Sequence, residues 1–207
     1  MSLDSLKDVY IDQLHDLYSA NEQSAAVTAR LAKAASNTEL ASALQRGEKG
    51  IKEGMQVVKS IIRSHGDQDN SEHCKGMEGL VREAEAHALD EDFGDDDTRD
   101  AMIITQYQRM AHYAIAGYGC LAAFAKRLGL DDEHQRIQSC LDACYDGDHT
   151  MSELCTRDIN PYRNRVTIAW KIIPPLISRR VFSWKRALLI CSVRLMSLKG
   201  WLLFQHD

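Results

Sequence analysis

Two groups of side chains in this 207-residue chain have types and spacing that chemistry can use. The first is a stripe of Cys140, Cys144 and Asp148 at i, i+4 and i+8, which a helix turns towards one side. Two thiols and a carboxylate on one stripe, with Cys120 facing them from a preceding helix, would hold a soft metal or form a redox pair. The commoner role of a helical cysteine is that of a small buried hydrophobe. The second group centres on His112, set between Tyr107 and Tyr118 in the most apolar stretch. There it reads most simply as a hydrogen-bonded core histidine. His149 and Glu153 form an i, i+4 pair of the surface salt-link kind. The acidic run over residues 90–97 has carboxylates for Ca²⁺ but lacks the spaced ligands and closing Glu of an EF-hand, so it reads as a solvated loop. No Cys-x-x-Cys, Glu-x-x-His, nucleophile elbow, phosphate-cradling glycine loop or zinc-protease helix occurs, which shifts the reading towards a scaffold or binding role.

Helices must position these groups. Val9, Leu14, Leu17, Tyr18, Val27 and Leu31 recur mostly at three- and four-residue steps, predicting a first helix over about residues 3–35 and about 45 Å long at ~1.5 Å per residue. Ser36, Asn37, Thr38 and Glu39 have the pattern of a capping box in which Ser36 caps a second helix that runs to about residue 64. That helix carries Gly47, Gly50 and Gly54, each costing roughly 1 kcal/mol relative to alanine, so either a neighbouring backbone approaches closely there or packing tolerates them. A short helix over about residues 74–89 follows. The acidic loop then supplies Asp97 as a cap for the third long helix, about residues 99–128, which Gly129 stops. Asp131 or Asp132 caps the fourth, which runs to about residue 155. Four long helices, with a connection between the second and third long enough to cross the bundle, predict an all-α four-helix bundle.

Composition bounds what such a bundle does. Residues 1–158 hold 16 Lys+Arg against 29 Asp+Glu, a net charge of −13, and a body of that sign repels phosphate backbones, so no nucleic-acid partner is expected. Residues 159–207 reverse the balance, with 9 cations against Asp207 alone. The first residues enter a charged amphipathic pattern without an apolar signal core, and the six cysteines are not arranged as a secreted disulfide scaffold; both favour the cytoplasm.

The segments DVYIDQLHDLYSANEQ, KGMEGLVREAE, RDAMIITQYQRMAHYAIAGYGCLAAFAKRLGLDDE and DINP, in that order, resemble the YciF-type bacterial stress proteins over about residues 4–161. That resemblance implies a ferritin-like up-down four-helix bundle with a short extra helix between helices two and three, dimerising through its long helices. It also implies a di-metal site. Family members typically carry Glu after the Tyr-Ser-Ala of helix one, Glu-x-His in helix two, Glu on both sides of the His-Tyr of helix three, and acidic residues in helix four. The matching positions here read Asn21, then Gly50 and Lys52, then Ala111 and Ala114, then Ala143 and Cys144. Of the ligand types only His112 and Asp148 persist. Glu22, Glu48 and Glu53 lie one residue or so from family positions, about 100° of helix turn away, and read first as surface charges. Two buried cations need several carboxylates, so the site reads as degenerate, with no cofactor.

The expected function is that of a stress-associated, non-enzymatic protein acting through a homodimer or its surface. The alternative is an Fe- or Mn-dependent oxidoreductase or peroxide-handling enzyme using the displaced set Glu22, Glu53, His112 and Asp148. A third reading comes from residues 162–207, a basic hydrophobic extension past the family-like domain of residues 1–161. Leu188, Cys191, Leu195, Leu198 and Leu202 form a helical stripe among cations, which could place residues 172–204 on an anionic membrane surface. The longest uncharged run there is seven residues, too short to span a bilayer, and the abrupt change of composition also fits an extension foreign to the bundle.

Overall fold

The computed structural model describes residues 3–67, 73–157 and 159; predictions for residues 162–207 therefore lie outside the described residues. Helix α1 spans Leu6–Ala34. Ser5 starts it: its side chain accepts from the Asp8 amide at 3.2 Å and donates to Asp8 Oδ2 at 2.7 Å, a reciprocal cap that satisfies an amide the helix leaves unpaired. Tyr10, Leu14, Leu17, Val27 and Leu31 form its buried stripe.

Helix α2 spans Thr38–Ser64, and its cap is Asn37 rather than Ser36. Asn37 Oδ1 accepts from the Glu39 and Leu40 amides at 2.9 and 3.0 Å. The reason for the one-residue shift lies on another helix: Asp100, 1% exposed, takes the Ser36 amide at 2.9 Å and the Asn37 amide at 2.7 Å, and so holds the turn in place. Of the three glycines in α2, a Cβ at Gly47 would fall 2.5 Å from Tyr107 Oη, one at Gly54 would overlap Tyr118 Oη, and one at Gly50 would meet open space. Close approach thus explains two of the three, and what approaches is a tyrosine hydroxyl rather than a neighbouring backbone.

The next helix is short. Helix α3, Lys75–Ala84, starts at Cys74, whose Sγ accepts from the Met77 amide, and it widens into a π turn over Glu85–Leu89. Tyr113 ties this segment to the bundle: its hydroxyl donates to Asp16 at 3.1 Å and lies 3.0 Å from Cys74 Sγ. Helix α4 spans Asp96–Arg127 and is capped by Asp95, not Asp97, because Asp95 Oδ1 receives both the amide and the hydroxyl of Thr98. It ends where Gly129 adopts φ 73°, with Leu130 N–H bonded to the Ala125 carbonyl and Gly129 N–H to that of Lys126, a Schellman closure that only a residue tolerant of positive φ accepts cheaply. Helix α5 spans Asp131–Arg157; Asp131 is its first residue, and the acidic first turn faces the positive end of the helix dipole.

The described residues are all-helical, in a ferritin-like arrangement. Short turns make hairpins of α1 with α2 and of α4 with α5, and α3 lies in the long connection between them. The core divides into two buried clusters. One gathers Leu31, Leu40, Leu44, Met77, Ile103 and Met110; the other gathers Tyr10, Leu14, Val58, Ile62, Leu121 and Ile137. Each fully buried aliphatic side chain contributes roughly 1.5–3 kcal/mol, so the two clusters supply most of the driving force. Tyr107 belongs to the first and Tyr118 to the second, and the space they border is where the site lies.

Candidate functional site

A cleft of about 570 Å³ opens between α2 and α5, with α4 and α1 forming its floor. Its size falls within the range of small-molecule sites. Of the seven replaced positions where the resemblance implies ligands, five line it: Asn21, Gly50, Ala114, Ala143 and Cys144. The bundle therefore still brings these positions together, although none of the five residues supplies a carboxylate or an imidazole. Lys52 does not point in as expected; it lies on the surface with its ammonium 2.6 Å from Glu48, because 200° of helix turn separates it from Gly50. Ala111 packs instead against the first core cluster.

Tyrosines of α4 form the floor and thiols line the α5 wall. Tyr118, 2% exposed, accepts a hydrogen bond at 2.8 Å from Asn21 Nδ2, so the residue standing in the helix-one carboxylate position holds a phenol. Tyr107 Oη reaches between the two helices, near Gly47 of α2 and 3.6 Å from where a Cβ on Gly147 of α5 would lie. Burial pushes Tyr107 up to about 12, with Cys144 and Asp148 adding to the effect, and burial likewise raises Tyr118. Cys140 and Cys144 are half-buried; burial raises both, and Cys144 is pushed up to about 12 with Cys140 beside it contributing. These groups are protonated at neutral pH and present O–H and S–H bonds rather than anions.

The expected ligand set disperses. His112 is not a core histidine: its side chain is 64% exposed, because the buried stripe of α4 runs through Ile103, Tyr107, Met110 and Tyr118, and residue 112 lies about 200° of turn from 110. It pairs with Asp148 at 3.1 Å, and Asp148 also accepts from Gln108 Nε2 at 3.0 Å. His112 and Asp148 therefore meet, on the α4–α5 surface. Asp148 parts from the two thiols because each i+4 step drifts 40°, about 80° over two steps. Cys120 is exposed and does not face them. Glu22 is exposed beside buried Asn21, and Glu53, at the cleft rim, pairs with Lys49 at 3.6 Å. His149 and Glu153 form the expected surface pair at 3.2 Å.

Among the described residues, no three His, Cys, Asp or Glu side chains gather as a metal-binding group. The donor set does not fit two divalent cations, which need several anionic oxygens to offset their charge and desolvation. Reading the sequence missed Arg46 and Arg136, which also line the cleft, and the phenol hydroxyls aimed into it. The available signal was the seven-residue spacing of Gly47 and Gly54, two helical turns that place both on one side of α2.

A ferritin-like helical bundle with a mid-height cleft is the class that this architecture defines. Residues 5–164 match the family model described as a domain of unknown function, DUF892, and the chain belongs to that family. It is similar to the protein YciF of Escherichia coli K12, at 29% identity over 161 residues, covering 77% of this chain and 96% of that protein. The crystal structure of that E. coli stress protein superposes with a TM-score of 0.71, covering 77% of this chain and 99% of the other. YcfI of Rhodopseudomonas palustris, described as a candidate structural protein, shares 25% identity at a TM-score of 0.68, over 73% of this chain and 97% of that one. Among the described residues no helix is long and apolar enough to cross a membrane.

Proposed function

We propose that this chain is a non-catalytic, stress-associated member of its family, working through a homodimer and its surface, in which the mid-bundle site has lost the ability to hold two metal ions. One observation carries the reading: Asn21, Gly50, Ala114, Ala143 and Cys144 converge on a single cleft at the positions where relatives place ligands, and they contribute no carboxylate. The stress association rests on likeness to a protein described as a stress protein, and the non-catalytic reading is supported by likeness to YcfI, described as a candidate structural protein. The competing enzyme would need Glu22, Glu53, His112 and Asp148 to act together. Only His112 and Asp148 touch.

Elemental analysis of full-length protein purified from cells supplemented with Fe and Mn tests this. Substoichiometric metal, unchanged by His112→Ala, is the expected result. About two metal ions per chain, as in the di-metal bundles, lost on His112→Ala, would overturn the reading.

A further inference from the structure

Tyr107 is 6% exposed, lines the cleft, and its hydroxyl has no hydrogen-bond partner among the described residues. The hydroxyl opens on the cleft rather than being sealed from water, so it is a donor that a ligand can take up in place of solvent. Arg46, on the α2 side of the same end, likewise has no ion-pair partner among the described residues, whereas Arg136 at the far end is engaged by Asp132 at 3.6 Å and by Ser60. Between the two ends the walls are Gly50, Ile51, Val57, Ala114 and Ala143, which offer apolar surface and no acceptor side chain. The seven steps from Gly47 to Gly54 make this apolar run about 10 Å long at ~1.5 Å per residue.

We propose that the cleft binds a free medium-chain monocarboxylate, its head held by Arg46 and Tyr107 and its chain laid along α2 and α5 towards Tyr118. A guanidinium presents two parallel N–H donors that match a carboxylate, and the phenol adds a third. Glu53 and Asp146 also line the cleft and disfavour further negative charge, so one charged end suits it better than two. This inference rests on the cleft having lost its affinity for cations.

The probe is octanoate, titrated calorimetrically into metal-analysed full-length protein, beside 1-octanol, octylammonium and acetate at matched ionic strength. Octanoate binding at least tenfold tighter than each of the other three is expected. Arg46→Gln, an exposed change that leaves the core untouched, should weaken octanoate by about tenfold or more, the scale of a charge-assisted bond, and leave octanol unchanged. Tyr107→Phe should weaken octanoate several-fold, and Ala143→Leu, which fills the run, should abolish binding. Octanoate binding no tighter than octanol or octylammonium, or unaffected by both Arg46→Gln and Ala143→Leu, would overturn the proposal. A chain that carries its metals and rejects octanoate refutes both readings; a metal-free chain that rejects octanoate refutes this one alone.

Discussion

Replacing Gly54 by alanine sets two effects of opposite sign against each other. In a free helix the change stabilises by about 1 kcal/mol, because glycine loses more backbone freedom on folding. At this position the new methyl overlaps Tyr118 Oη, and the ring behind it cannot swing away cheaply, being 2% exposed with its hydroxyl held by Asn21 at 2.8 Å. Displacing the phenol and breaking that buried bond costs roughly 2–3 kcal/mol, from about 1 kcal/mol for the bond and 1–3 for strained packing. Gly54→Ala should therefore destabilise by about 1–2 kcal/mol. With Tyr118→Phe as the background the overlapping oxygen is gone, and the next contacts, the ring carbon at 3.4 Å and Cys140 Sγ at 3.9 Å, are ordinary ones. The same Gly54→Ala change should then stabilise by about 0.5–1 kcal/mol, giving a coupling of roughly 2 kcal/mol across the cycle. Gly50→Ala, which meets open space, is the control and should stabilise in either background. Urea melts followed by helical circular dichroism at fixed protein concentration measure all five variants with the wild type. Equal effects of Gly54→Ala in the two backgrounds would refute the assignment of Tyr118 to the cleft floor.

Three further outcomes follow. Asp100→Ala removes the acceptor of two turn amides and should cost about 2–4 kcal/mol in the same melts, from charge-assisted bonds of roughly 1.5–3 kcal/mol each, discounted because the turn is partly wet; a loss below ~1 kcal/mol would show that the turn holds itself. Mass spectrometry after iodoacetamide at pH 8 should find Cys120 labelled well before Cys140 and Cys144, with the latter two catching up in urea. For Cys144 the folded value, about 12, lies above the ordinary 9.0, so its contribution to stability is complete below pH 9 and declines as pH rises towards 12, where the unfolded thiol ionises first. Cys144→Ala should flatten that alkaline decline, and an unchanged profile would count against burial of the thiol.

Much of the architecture was legible because it is written in local terms. The four long helices follow from apolar residues at three- and four-residue steps, and Gly129 marks the end of α4 because few other residues accept its φ of 73°. Cap identities were less legible. Ser36, Asn37, Asp95 and Asp97 all have side chains able to cap, and the choice of Asn37 followed from Asp100, more than sixty residues away, occupying the turn amides. The same limit applied to His112: a histidine among tyrosines on an apolar helix reads as buried until the rotation of α4 against its neighbours turns it outwards to Asp148.

Residue identities alone pointed to a helical bundle of this family and put small or neutral residues at most of the positions where the resemblance implies metal ligands, since charge and side-chain size are properties of the residues themselves. Three-dimensional packing determined what stands there now. Gly47 and Gly54 admit two phenols from α4, Asn21 orients one of them, and among the described residues the hydroxyl of the other has no acceptor and Arg46 no ion-pair partner at its end of the cleft. Whether a side chain has a partner depends on which helices press against it and at what rotation. Spacing along a single chain does not encode that.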